Sequence, residues 1–432
     1  MKKLLTILAS LGVNMLRLFD ATTQTTLLNT PGNDLSPEMK TYYDKNLLYA
    51  AQAQLVHHQF GQKRPIPKNG GKTIEFRKFT PLKKALTPLT EGVTPDGNQL
   101  DVTAITATVS QYGDFIVMSD VLELTAIDNV IVEATRLLGD QAGLTMDTVV
   151  RDVLVAGTNV MYAPTWSGTT ETEVTSRIAL DNTAVLTVDL VEQVVAKLRS
   201  HNTPKIDGYY ICIIHPFAAY DLMRDPDWRK PHEYKDTNNL YAGEIGQIAG
   251  VRFVESTEAK IWRGDNLAGD VRELVLGANI SGAVTEITYS TTGVTLAENA
   301  LKGRTIAING VTAVVTGNTA SSGTHKITVA STNFGSGTSG TTKIYPGEGG
   351  NEGLSVFGTL FFGKDAYGVT DVEGAGLETI VKQKGSAGTA DALNQRSSVG
   401  WKALEVAEIL MQPYLVRVEH TSKRYSATVA AN

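Results

Sequence analysis

The run "DVLELTAIDNVIVEATRLLGDQAGLTMDTVVRDVLVAGT", residues 120–158, constrains this chain more than any other stretch. Ile127, Val130, Ile131, Ala134, Leu137, Leu138, Ala142, Leu144, Val149, Val150, Val153 and Leu154 recur at close to the helical period, which predicts one long amphipathic helix. Thr125, with Asp128 three residues on, is the N-cap candidate, Gly157 supplies a stop, and Gly139 and Gly143 are places for a bend. Thirty helical residues span roughly 45 Å. A helix of that length acts as a spine across which other elements are laid.

Ahead of the spine lies a segment that does not complete a core of its own. "KTIEFRKF" reads as a strand with Ile74, Phe76 and Lys78 on one face and Glu75, Arg77 and Phe79 on the other, and "DVTAITATVSQYGDFIVMS" reads as its return. The Pro81–Gly97 interval between them is too long and too rich in proline for a tight turn. Residues 61–84 carry eight Lys or Arg against one acid, whereas residues 85–152 carry eleven acids against two bases, in a chain of formal charge −6. Neighbouring segments of opposite sign suit a chain that docks on copies of itself, a basic arm meeting an acidic spine. The rival, a nucleic-acid patch, lacks the aromatic interleaving of a single-strand binder.

The rest of the chain alternates in style. Residues 1–60 read as an arm: Lys2 and Lys3 before an apolar run imitate a signal peptide, but Asn14 and Arg17 interrupt it and no clear small-x-small cleavage site follows. Ser36-Pro37 starts a helical pattern through "MKTYYDKNLLYAAQAQLVHHQF". Residues 185–264 alternate helix and strand ("TVDLVEQVVAKLRSHN", "GYYICIIH", "PFAAYDLMRD", "EIGQIAGVRFVES") as a compact α/β block. Residues 265–353 change character: between Ser281 and Tyr345 stand nine Gly and twenty-two Ser or Thr with six charges, and "RTIAINGVTAVVT" is a hairpin on Asn309-Gly310, so a small sandwich inserted at Gly-rich ends is expected. Residues 354–432 return to the earlier style and end in a strand carrying Ile409, Met411, Tyr414, Val416 and Val418.

Chemistry is sparse. Walker, dinucleotide, nucleophile-elbow and HExxH patterns are absent. His57 and His58, adjacent near the end of the predicted helix, would point to different faces and make a poor metal pair. Asp225, Asp227 and Trp228 read as a surface loop around Pro226, and the single cysteine, Cys212, as a core residue. Neither an enzyme nor a cofactor or metal site is expected.

The order of elements, and phrases such as "QLVHHQFGQKRPIPKNGGKTIEFRKFTPL", "PLTEGVTPDG", "ITATVSQYGDFIVMSD", "EIGQIAGVRFVES" and "GTADALNQRSSVGWKA", resemble the major capsid proteins of tailed bacteriophages, of the Hong Kong 97 (HK97-like) fold and its N4-type branch, over residues 34–262 and 354–420. The resemblance implies an α+β fold. Its parts would be an N-terminal arm (1–60), an extended loop hairpin (61–119), a peripheral domain with the spine helix (120–184), an axial domain (185–264), an inserted β-rich domain (265–353) and the peripheral return (354–432).

It further implies a homo-oligomer of hexamers and pentamers forming an icosahedral head around double-stranded DNA, bound without sequence specificity. Portal and possibly scaffolding or decoration proteins would be partners, with no membrane. Contact candidates between subunits are Lys63, Arg64, Arg77, Lys78, Lys83, Lys84, Glu91, Asp96, Glu123, Asp128 and Glu133. The founding member links a loop Lys covalently to a neighbour's Asn; Lys83 and Lys84 lie near the loop tip, but no motif identifies a paired Asn and Glu. An encapsulin-like compartment shell and a secreted surface-layer or adhesin protein are the competing readings.

Overall fold

The centre of the fold is a mixed sheet built on a strand that is apolar at every position, Tyr210–Ile214. Such a run is buried on both faces, and its residues divide accordingly. Tyr210, Cys212 and Ile214 enter a core beneath helices Val188–Ser200 and Pro216–Met223. Ile211 and Ile213 meet Val150 and Leu154 of the long helix on the other face. The sheet runs Val160–Tyr162, Leu415–His420, Val356–Phe362, Tyr210–Ile214, Val251–Glu255, Gln247–Ile248. The computed structural model describes Leu47 and residues 55–65, 72–79, 82, 84–86, 88, 91–92, 97, 99–100, 102–125, 130–228, 247–290, 294, 296–320, 325–370, 377–382 and 393–432. Lys78, Phe79, residues 123–125 and 130 are described by backbone alone. The predicted N-terminal arm, with its Ser36 cap, lies outside the described residues save Leu47 and residues 55–60.

Caps explain where the two sheet-covering helices start. Thr187 accepts a hydrogen bond from Leu190 N at 3.3 Å, and Asp225 Oδ2 accepts from Val188 N at 3.0 Å. His215 Nδ1 accepts from Phe217 N beside Pro216 at the first helical position. Asp225 is therefore a cap and not part of a free loop. Trp228 is buried with its ring 5.3 Å from Phe253, which corrects the surface-loop expectation.

The long helix, Val130–Val155, joins two cores. Leu138, Ala142 and Met146 pack against a three-stranded sheet of Leu377–Lys382, Arg396–Glu405 and Ser110–Ser119 through Met118, Val399, Trp401 and Ala403. Val150 and Leu154, one to four turns further on, pack on the central sheet. The helix is described from Val130, and Thr125 is the last described residue of a helical stretch, Asp120–Thr125; residues 126–129 and the Thr125 side chain lie outside the described residues. Gly157 follows the last turn, donating to Leu154 O at 3.2 Å.

The return run of the hairpin is two strands, not one. Thr73–Phe79 pairs with Val102–Thr108, from Thr73↔Thr108 to Phe79↔Val102. Val109 breaks the run by donating to Lys72 O, and Ser110–Ser119 pairs instead with Arg396–Glu405. Gln62–Arg64 pairs parallel with Tyr367–Thr370. At the root the hairpin has a core: Ile74, Phe76 and Ala107 are buried with Leu410, while Glu75 and Arg77 face out. The final strand is shorter than expected. Pro413 lies in a 3-10 turn, Gln412–Tyr414, so Met411 and Tyr414 fall between strands Ala407–Ile409 and Leu415–His420.

Within residues 265–353 the six strands run Leu274–Val275, Lys343–Pro346, Thr305–Ile308, Val311–Asn318, Lys326–Asn333, Ala283–Thr288. The two outer strands then meet: Gly277 N donates to Thr288 O and Ser290 N to Val275 O, both at 2.8 Å, around a Leu276↔Tyr289 bridge. The sheet thus closes into a small barrel where a sandwich was expected. Closure pairs both edges of so short a sheet. Leu276, Ile287, Tyr289, Ile306, Ile327 and Ile344 help fill it. Asn309 (φ 50°) and Gly310 (φ 76°) make its two-residue hairpin turn, a backbone that suits these residues.

Candidate functional site

The hairpin leaves its packed root and carries exposed apolar side chains outward. Leu82, Leu86 and Leu100 are 60%, 81% and 65% exposed. Two strands of seven residues place that end about 23 Å from the root. Of the charged candidates, Lys63, Lys84 and Glu91 are exposed and form no ion pair among the described residues. Arg64 is half-buried. Arg77 is exposed and turns to Glu75 of its own strand at 3.3 Å. Lys78 stands on the strand opposite Thr103, its side chain outside the described residues. Lys83, Asp96 and Asp128 lie outside the described residues, and so does the side chain of Glu123, which sits in the short helix.

The spine's acidic face is already partly occupied. Glu133 pairs with Arg136 at 2.6 Å, and Arg136 reaches Asp140 at 3.1 Å. The hydrogen bond from Arg136 holds the Glu133 carboxyl below its usual range. These exposed pairs contribute little each. Beside them Leu137, half exposed, borders a shallow groove with Leu144, Thr148 and Val149.

A second open surface lies on the three-stranded sheet. One face is covered by the spine helix, where Trp401 Nε1 donates to Gln141 Oε1 at 3.2 Å. The other face carries Phe115, Gly400 and Ile380 in one cross-strand row. The next row is Gly113, Lys402 and Glu378, with Lys402 and Glu378 paired at 2.9 Å. A Cβ on Gly400 would sit 2.7 Å from Phe115 Cβ and 2.9 Å from Asp114 O, so the two strands approach too closely there for any side chain but glycine's. The result is a groove of about 550 Å³ floored by glycine, walled by Phe115 (60% exposed) and Ile380, and rimmed by Lys382 and Lys402. Because only Val109 separates Val102–Thr108 from Ser110, the groove stands at the base of the chain's own hairpin.

A family model of phage capsid proteins matches residues 38–270, over half of the chain. The chain belongs to the phage capsid protein family. The capsid of cyanophage Pam1 has the same fold, at TM-score 0.50 and 11% identity over 94% of this chain and 98% of that one. The cyanophage P-SCSP1u capsid aligns at TM-score 0.48 and 13% identity over 83% of this chain and 86% of that one. The Ralstonia phage GP4 capsid aligns at 0.47 and 11% over 96% and 99%. No curated protein matches the chain. It is a structural protein of the phage capsid, placed in the virion shell, which it builds from copies of itself.

The capsid protein also holds a cluster that the sequence reading passed over. His57 and His58 lie in bends leading to strand Gln62–Arg64, not on a helix, and both are buried. Asp147 of the long helix accepts from His57 N at 2.6 Å and from His58 N at 3.3 Å, and its other oxygen lies 2.6 Å from His57 Nδ1. His58 Nε2 donates to Thr370 O at 2.9 Å and lies 3.7 Å from Glu405 Oε2. Thr370 Oγ1 donates to Glu405 Oε1 at 2.8 Å, and Tyr367 Oη donates to His57 O at 2.5 Å. The available signal was Asp147 itself, an acid between Met146 and Val150 on the apolar side of the helix. Among the described residues, no group of three or more His, Cys, Asp or Glu is arranged to hold a metal ion, and no helix is long and apolar enough to cross a membrane.

Proposed function

We propose that the capsid protein is of the N4-type branch with the Hong Kong 97-like division of labour, and that it closes hexamers and pentamers by laying each hairpin tip in the Phe115 groove of the next subunit. The observation that carries this reading is the placement of plug and socket. Leu82, Leu86 and Leu100 stand exposed at the far end of a hairpin whose base adjoins an open apolar groove. Two seven-residue strands carry the tip about 23 Å beyond the hairpin base beside which the groove stands. A plug and a socket on different surfaces make a head-to-tail contact, which generates rings when the rotation closes.

On this reading residues 1–60 are the arm, 61–119 the extended loop, 120–184 with 354–432 the peripheral domain, 185–264 the axial domain and 265–353 an insertion facing out of the shell. The basic stretch from Lys63 to Lys84 then steers the hairpin toward acidic surface on its neighbour, raising the rate and the fidelity of docking more than its strength. Portal and scaffolding or decoration proteins complete the head, which encloses double-stranded DNA without sequence-specific contacts.

The test is Leu86→Asp and Phe115→Asp, made separately. Each is expected to abolish shells in negative-stain micrographs while leaving a soluble protein with unchanged far-UV circular dichroism. Normal particles from both variants would sink the docking.

A further inference from the structure

The hairpin root is fastened to the body by ionisable groups, and this is unusual for a joint that must hold through shell building. Residues 55–60 contribute His57 and His58, the long helix Asp147, strand Tyr367–Thr370 its Tyr367 hydroxyl and Thr370, and strand Arg396–Glu405 its last residue. Strand Gln62–Arg64 adds Arg64, the register partner of Thr370, half-buried with a buried Nε that has no hydrogen-bond partner. Two further buried polar atoms are unpartnered, His57 Nε2 and Glu405 Oε2. A fully satisfied network would be expected of a purely structural joint. Outside this cluster the chain from 55 to 65 is held by a parallel pairing of three residues and by apolar packing of Leu55, Val56 and Phe60, the last with its ring 5.9 Å from that of Phe362.

We propose that His57, His58, Asp147 and Glu405 form a proton-operated latch: with Glu405 protonated the latch holds residues 55–65 on the long helix, and loss of that proton loosens the hairpin root. The neutral acid fits the site. It puts no charge in a buried pocket where Asp147 already draws on His57 and on both histidine amides; the hydrogen bond from Thr370 Oγ1 alone would favour the ionised form, and burial outweighs it. An ionised Glu405 would place a second carboxylate across the two histidines in buried surroundings, 3.7 Å from a His58 Nε2 whose hydrogen bond goes to Thr370 O, with Arg64 the cation that the cluster adds. Opening residues 55–60 gives both His58 and Glu405 access to water.

Burial raises the Glu405 carboxyl from 4.5 to about 8, against the smaller opposing effect of the hydrogen bonds at Thr370 and Val406. The sign follows. The closed state binds this proton more tightly than the open state, so closure is favoured in acid, weakens as pH rises between about 4.5 and about 8, and changes no further above that. One proton allows at most about a tenfold change in the opening equilibrium per pH unit. The latch regulates the hairpin that we read as the assembly arm, and it rests on that reading for its consequence: a root that is firm in acid and mobile in mild alkali.

Hydrogen–deuterium exchange on the purified, unassembled full-length protein tests it. Between pH 6 and 9, after correction for intrinsic exchange, protection of residues 55–65 is expected to fall by up to about tenfold per pH unit and level off near pH 8, while residues 356–362 of the central sheet stay constant. Glu405→Gln, which keeps the shape and removes the titration, is expected to abolish the fall. A flat wild-type profile at residues 55–65, or the same fall in Glu405→Gln, overturns the latch. The wild-type profile alone can do so if the variant does not fold. Neither result depends on shells forming, so failure of the latch and failure of the Phe115 groove are separate outcomes.

Discussion

The ring of Phe76 lies against the backbone of Gly368, so close that any side chain on Gly368 would overlap it. Phe76 is fully buried on the inner face of the hairpin, and Gly368 sits mid-strand between Gln62 and Glu408. The contact seats the hairpin root on the body. Gly368→Ala is expected to cost about 1–3 kcal/mol, the usual range for forcing an extra carbon into a packed site. A lowered denaturant midpoint with an unchanged m-value checks it. Unchanged stability would mean that the root is loose enough to give way.

Acid should weaken the central sheet. His420 is fully buried; its Nδ1 donates to Thr421 O at 3.0 Å, and its Nε2 therefore accepts from Thr359 Oγ1 at 2.8 Å. Burial pushes its pKa down from 6.5 to about 4. The folded state thus resists charging, so the contribution is intact above pH 6.5 and is lost as pH falls toward 4. The full effect is on the order of 3 kcal/mol. His420→Gln should flatten the fall in stability across that window, measured by urea unfolding at a series of pH values. An unchanged slope would locate the acid sensitivity elsewhere, His215 being the other buried imidazole lowered to about 4.

How far the sequence could be read follows from how local each signal is. The apolar side of the spine was legible because Leu138, Ala142, Val150 and Leu154 repeat within one helix. The alternation of Ile74 and Phe76 with Glu75 and Arg77 was legible for the same reason. Pairings between distant segments were not. Nothing near Val109 says that the return run leaves one partner for another, and only the meeting of Leu276 with Tyr289 turns a sandwich pattern into a barrel. His57 and His58 looked idle because Asp147 and Glu405, which give them roles, are far off in sequence. The charge pattern was visible, but Arg77 and Glu133 have partners in their own chain.

That last point sharpens the expectation for the basic hairpin. Replacing Arg77, Lys78, Lys83 and Lys84 together by Glu should block particle formation while leaving the monomer's thermal unfolding close to wild type, since the one pair broken among the described residues is exposed and weak. Wild-type assembly should slow as salt rises from 0.05 to about 0.5 M, where screening shortens the reach of such charges. Light scattering during assembly measures both. Particles of normal yield from the quadruple variant would rule out charge steering by the hairpin.

The barrel should be separable from the body, provided that the cut respects its closure. It has its own core, and its entry and exit run side by side, since Gly264 packs against Pro346 and Glu348. Removing residues 281–345, the Ser/Thr-rich span alone, would strip the partners from Leu274 and Leu276 and leave two buried leucines bare. Removing 266–346 and joining the ends with a short Gly-Ser linker takes the whole core away at once. The shorter deletion is therefore expected to aggregate, and the longer one to stay soluble with the melting transition of the body retained. Differential scanning calorimetry distinguishes these outcomes. If the longer deletion also unfolds the body, the barrel is part of the body's core and cannot be a displayed insertion.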